Sequence, residues 1–203
     1  MKLFHSHASP FVRKVMVVAH ELGLAGHIAL LPSAVHPVKR DRSVLVQHPL
    51  AQVPTLIDAE GNSLADSRVI CEYLDALAGG GMFPKDGAAR WRALNEQSTA
   101  DGLLDAALLI RYELTARAES ERSAAWIEGQ TAKIESALAW FEERAAGFGE
   151  RVDIGTVALA CALGYLDLRF SDIAWRDDAP DLAAWFATIS ERPSMQATRP
   201  PAG

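Results

Sequence analysis

Ser9-Pro10 is the pair whose residue types and position could do chemistry most directly. Phe11, Val15, Val18 and Leu22 follow at helical spacing, so the pair should open a helix running to about Leu22 and stopping at Gly23. Serine can cap the orphan N–H groups there, and proline suits the first helical position because its missing donor is not needed. Free N–H groups and the macrodipole favour negative charge at such a terminus, which places the hydroxyl well beside a bound anion. Capping alone would account for it equally.

Two later pairs raise the same question. Asp66-Ser67 should open a helix with Val69, Ile70, Tyr73, Leu74 and Leu77 as its apolar face. Val53-Pro54 precedes a strand-like stretch at 55–58, where proline is either a strand-start marker or a cis peptide fixing a turn. Base rates favour trans, since only about 5–6% of X–Pro bonds are cis in folded proteins. Histidines 5, 7, 20, 27, 36 and 48 have no metal-ligand spacing, and no metal is expected.

The elements that must position these residues fall into two groups. Lys2–His5 reads as a buried strand and residues 27–31 as a second, ended by Pro32. With the helix between them they make a βαβ unit, so the strands should be parallel with a right-handed crossover. Residues 38–47 read as a weaker helix, with Lys39, Arg40 and Arg42 as a solvated face. Glu60-Gly61-Asn62 is a hairpin turn joining 55–58 to a partner strand at 63–65. Residues 1–78 therefore read β-α-β-α-β-β-α. Residues 79–88, with Gly79-Gly80-Gly81 and Pro84, are the expected linker. Residues 89–203 read as helices at about 89–117, 124–144, 153–170 and 181–191, with a tail from Pro200-Pro201. The third of these is apolar nearly all round and belongs at the centre of a helical domain.

Composition narrows the function classes. The chain has 203 residues, 49% hydrophobic and 23% charged, with formal net charge -6. Residues 1–78 are neutral, so the remainder supplies the whole deficit. An acidic chain without a basic stripe is a poor nucleic-acid binder, because that affinity rests on neutralising phosphates. No uncharged apolar run reaches the roughly 18 residues a membrane span needs. No signal peptide is expected from Met-Lys-Leu-Phe-His. Cys71 and Cys161, far apart and inside apolar helical patterns, read as core thiols in a reducing compartment, so the expected setting is cytoplasm.

Five stretches in this order resemble the cytosolic glutathione transferases over essentially the full length. They are SPFVRKV at 9–15, HPLAQVPTL at 48–56, LADSRVICEYLD at 64–75, MFP at 82–84 and DIGTVALACALGYLDLRF at 153–170. The resemblance implies an α/β plus all-α protein. A thioredoxin-like N-terminal domain, a mixed four-stranded sheet with helices, would precede an all-helical C-terminal domain. It further implies glutathione as co-substrate, a small hydrophobic electrophile as second substrate, and a homodimer.

Position by position, the family pattern gives Ser9 the hydrogen bond to the glutathione sulfur, with Ser6 as its rival in the same loop. Val53, ahead of a Pro54 that the family makes cis, would pair its backbone with the cysteinyl part of glutathione, like an added strand. Asp66 and Ser67 would hold the γ-glutamyl end. Gln52 stands where a lysine often reaches the glycyl carboxylate, which exchanges a charge-assisted contact for a neutral one. Phe11, Arg111, Tyr112 and Tyr165 are the electrophile-pocket candidates. Relatives with cysteine at the position of Ser9 exchange disulfides; serine cannot, which favours conjugation. The family's Ser/Thr-x-x-Asp box appears here as Asp153-Ile154-Gly155-Thr156, and Thr156 is not expected to reach back as a carboxylate would. A non-catalytic ligand carrier or interaction module, and a glutathione-dependent lyase or isomerase, are the alternatives.

Overall fold

A computed structural model of the protein describes residues 1–33 and 36–201. Its sheet has the order β2-β1-β3-β4, built from β1 (Lys2–His5), β2 (Ala29–Pro32), β3 (Thr55–Ile57) and β4 (Ser63–Leu64). β1 runs parallel to β2 and antiparallel to β3, and β3 is antiparallel to β4. The predicted βαβ unit is therefore present, followed by the predicted hairpin. α1 (Pro10–Glu21), α2 (Arg42–Leu45) and α3 (Ser67–Ala78) complete the N-terminal part. α4 (Gly87–Ala116), α5 (Ala124–Glu142), α6 (Ile154–Arg169), α7 (Trp175–Asp178), α8 (Pro180–Ser190) and α9 (Pro193–Ala197) make the rest mostly helical. No helix among the described residues is long and apolar enough to cross a membrane.

Three local expectations need correction. The helix expected over 38–47 shrinks to the single turn α2, where Asp41 caps Ser43 N–H at 2.9 Å and Val44 alone is buried. One buried side chain is too little packing to hold a longer helix. The repeat of Phe11, Val15, Val18 and Leu22 argues one buried face for α1, yet Val12, Lys14, Val15, Val17, Val18 and Ala19 are all buried, because the helix lies between α3 and α6. Thr156 does reach back. Its hydroxyl oxygen accepts from Asp153 N–H at 3.0 Å, while Asp153 Oδ1 accepts from the N–H groups of Gly155 and Thr156 at 3.0 and 3.1 Å. The box needs one acceptor atom at that position, and a hydroxyl supplies it as a carboxylate does.

α6 is the axle of the molecule, with every residue from Ile154 to Leu163 buried. Gly155 allows α4 to close on it, since a Cβ there would stand 2.6 Å from Glu96 Oε2 and 2.9 Å from the Ala93 carbonyl. Arg151 fastens the same junction, 2.8 Å from Glu96 and 2.6 Å from Asp153.

α1 is tied to its neighbours by buried charge. Lys14 Nζ is fully buried and lies 2.6 and 2.8 Å from the two oxygens of Asp101 on α4. At the other end, Glu21 accepts from Arg192 at 2.9 and 2.7 Å and from the Ser194 hydroxyl, holding α9 against α1. The Arg192 hydrogen bonds hold the Glu21 carboxyl below its ordinary 4.5. A depressed carboxylate contributes stability above its unfolded-state pKa and loses it as pH falls through the folded value. Glu21→Gln should therefore lower the melting temperature at neutral pH, by the equivalent of about 1 kcal/mol or less. The deficit should vanish well below pH 4.5, as melts over a pH series would read.

Candidate functional site

Strand register gathers three segments at one end of the sheet. Phe4 pairs with Thr55, so the chain leaving β1 at His5 passes the chain entering β3 at Val53-Pro54. Leu56 pairs with Leu64, which brings the chain leaving β4 toward Asp66 to that same end. The loop from Ser6 to Ser9, the Val53-Pro54 peptide and the start of α3 are thus neighbours because of topology. Both the Val53-Pro54 and the Ala65-Asp66 peptide bonds are cis. The trans base rate for Pro54 is overturned, as the family pattern implied.

Each polar group at this end has a defined state. Ser9 is half-buried and caps α1, its hydroxyl oxygen accepting from Val12 N–H at 3.3 Å. A hydroxyl accepts and donates at once, so the cap leaves its proton available. Ser6 lies in the same loop, its carbonyl accepting from Ser9 N–H at 3.0 Å. Neither the N–H nor the C=O of Val53 bonds to another backbone group among the described residues. Gln52 is exposed, and its carbonyl accepts from the Thr55 hydroxyl at 2.8 Å. Asp66 caps α3 through Arg68 N–H at 2.9 Å and pairs with the Arg68 guanidinium at 2.9 Å. Ser67, the first residue of α3, is buried.

His5 closes β1 beside this loop, buried and edge-on to His7 with ring centroids 4.5 Å apart. Burial lowers its pKa against the opposing pull of the Leu31 carbonyl, so the ring is neutral at neutral pH. Its place in the sequence carries no spacing that would mark it for a role.

The pocket candidates lie on helices that run toward the same end. Gly155 meets Ala93 and Glu96, Asp101 meets Lys14, and Arg13 lies across Gly164, where a Cβ would stand 2.3 Å from Nη1. At the other end, Leu22 packs against Gly81 and the Met82 carbonyl accepts from Ile154 N–H at 2.9 Å, so α1 ends beside the start of α6; α4 and α6 run in one sense and α1 in the other. Stepping five residues back from Lys14 to Ser9 covers about 7.5 Å, as does stepping five forward from Gly164 to Arg169. Ser9 thus lies level with the C-terminal end of α6. There Tyr165 is buried, with Phe170 beside it at a centroid distance of 6.3 Å. Burial pushes the Tyr165 phenol up to about 12, with Arg111 and Arg169 pulling the other way and Tyr112 adding to the rise. Arg111, Tyr112 and Phe11 are half-buried, and Phe11 lies 5.6 Å from Lys14 Nζ. Arg169 was not anticipated. Its signal was present, as a lone basic residue closing the one helix that is apolar nearly all round.

A cavity of about 440 Å³ lies elsewhere, lined by Arg13, Asp167, Arg176, Phe186, Met195 and Arg199 among others. Gly164, Asp167 and Leu168 face it, about a third of a turn round α6 from Tyr165 and Arg169.

Comparison with known proteins agrees with this architecture. Residues 3–81 match the glutathione S-transferase N-terminal domain and residues 124–188 the C-terminal domain. The "uncharacterized GST-like protein YibF" of Escherichia coli strain K12 is 32% identical over 99% of both chains. A glutathione transferase family member from Pseudomonas fluorescens Pf-5, crystallised with bound glutathione, is 48% identical, covers 98% of both chains and superposes with a TM-score of 0.96. A second Pseudomonas fluorescens Pf-5 structure holds S-(propanoic acid)-glutathione, at 48% identity and a TM-score of 0.92 over 98% of this chain and 99% of that one. The fold is the one these proteins share, a four-stranded mixed sheet with helices followed by a mostly helical part. The chain belongs to the glutathione S-transferase family.

Proposed function

We propose that the protein binds glutathione at the sheet end described above and adds its sulfur to a small electrophile. Glutathione's thiol is mostly protonated near neutral pH, and only the thiolate is a good nucleophile. Ser9 donates a hydroxyl hydrogen bond to the sulfur from the N-terminus of α1, and both features favour the anion. The Val53 backbone pairs with the cysteinyl unit, ahead of Pro54, and Asp66 and Ser67 take the γ-glutamyl ammonium and carboxylate. Phe11, Arg111 and Tyr112 face the electrophile. The observation that carries this reading is Ser9 itself, an N-cap whose oxygen accepts from Val12 N–H while its hydroxyl donates to no acceptor among the described residues.

The Pseudomonas fluorescens family member supports it, its two structures holding glutathione and S-(propanoic acid)-glutathione. Large apolar side chains exposed on neighbouring helices, Val69 and Leu77 on α3 and Trp91 on α4, suit pairing with a second copy. The buried, protonated thiols of Cys71 and Cys161 suit a reducing cytoplasm.

Retention on immobilised glutathione, followed by turnover of a neutral aromatic electrophile, tests the reading. Retention without turnover of any electrophile would favour a ligand carrier; no retention would refute the assignment. Gln52→Lys should tighten glutathione binding severalfold at low salt by restoring a charged contact to the glycyl carboxylate, as titration calorimetry would show.

A further inference from the structure

We propose that the cavity of about 440 Å³ between α6, α8 and α9 is a second binding site, separate from the sheet end, and that it takes an amphipathic monocarboxylate. Arg13 holds the carboxylate, and the apolar wall holds a flat hydrocarbon body. The site stands whether or not the protein is a transferase.

Arg13 lines this cavity, held in place and left without a counter-charge. Its Nη2 donates to the Met195 carbonyl of α9 at 3.2 Å, and the guanidinium lies across Gly164, where a Cβ would stand 2.3 Å from Nη1. A side chain at position 164 would push it aside. Arg13 Nε is buried with no partner, as Arg151 Nε is, so that feature alone marks no site. The two differ in their charges. Arg151 has Glu96 and Asp153 beside it, whereas Arg13 pairs with no carboxylate among the described residues. Leaving a half-buried cation uncompensated costs free energy, and the space next to it can hold the group that compensates.

The other charged groups around the cavity do not balance Arg13. Asp167 is occupied by Arg176, at 2.7 Å to each oxygen, and by the Trp175 indole N–H at 3.1 Å. Glu191 and Arg199 are both exposed and opposite in sign. Three arginines thus stand against two carboxylates, which leaves one positive charge. A carboxylate matches the guanidinium fork in geometry and neutralises that charge. A dianionic phosphate would exceed it and meet the repulsion of Asp167 and Glu191. Phe186, Leu168, Met195, Pro200 and Pro201 supply the apolar wall. Small-molecule sites are commonly cavities of roughly 300–1,000 Å³ with a few fixed polar groups, and this one has that form. A fused-ring aryl acid satisfies both halves, its head on Arg13 and its body packed on Phe186.

Titration calorimetry of 2-naphthoate against 2-naphthamide on the full chain, with and without saturating S-hexylglutathione, tests the site. The acid should bind on the order of tenfold more tightly than the amide, the scale of one charge-assisted hydrogen bond, and equally well in both conditions. Arg13→Gln should remove the preference. Ala187→Phe, at an exposed position on the cavity wall, should weaken both ligands. Equal binding of acid and amide by the wild type overturns the inference, and that comparison decides even if Arg13→Gln fails to fold. Displacement of naphthoate by S-hexylglutathione overturns it too, since the acid would then sit at the sheet end. A preference that survives Arg13→Gln, or binding untouched by Ala187→Phe, likewise removes the acid from this cavity.

Discussion

Replacing Ser9 with alanine is expected to slow thioether formation by on the order of a hundredfold while leaving the protein folded. Two consequences of one atom have to be separated. As a cap, the Ser9 oxygen accepts from Val12 N–H, and losing it costs about 0.5–2 kcal/mol of stability. As the donor proposed above, its O–H would stabilise the thiolate in a partly desolvated site, where removing one preorganised donor typically costs about 10² to 10³ in rate. Ser9→Thr keeps the donor and the cap and should retain much of the activity. Parallel melts and rate measurements distinguish the roles: a rate loss far beyond what the melt explains belongs to the donor. Ser6→Ala is the control, and if it alone abolishes turnover, the hydroxyl has been assigned to the wrong serine.

The second large effect concerns Lys14 and Asp101. Asp101→Asn should destabilise the protein by about 3–5 kcal/mol, because it leaves a fully buried ammonium without its counter-charge. At roughly 2–4 °C per kcal/mol for a chain of this size, the melting temperature should fall by about 10 °C. Burial raises the Asp101 carboxyl and Lys14 opposes that rise, so the pair is costly to form and more costly to split. Lys14→Met with Asp101→Leu should recover most of the loss, since two apolar side chains need no partners. Denaturant titration of the three variants reads this directly. A single-mutant deficit below about 1 kcal/mol would mean water reaches the pair.

These two predictions also mark where the sequence was readable. The Ser9-Pro10 helix start follows from local chemistry: a capping side chain, a proline at the first position and an apolar repeat. The hairpin and the wholly apolar α6 follow likewise, and the family's spacing located the Val53-Pro54 and Asp66-Ser67 pairs. Lys14 was not readable, because a lysine among valines on a helix looks like its exposed face until the partner is known. That partner, Asp101, lies 87 positions away on another helix. Thr156 erred the other way, since the expected residue type was taken as necessary where any acceptor at that point would serve.

The central claim is that this sheet end lowers the pKa of bound glutathione through Ser9. Titrating the ultraviolet absorbance of the thiolate on the saturated protein tests it most directly. The pKa should lie at least one unit below the ordinary thiol value of about 8.5 and return most of the way to it in Ser9→Ala. An unshifted titration in the wild-type protein, or the same depressed value in Ser9→Ala, would contradict the account.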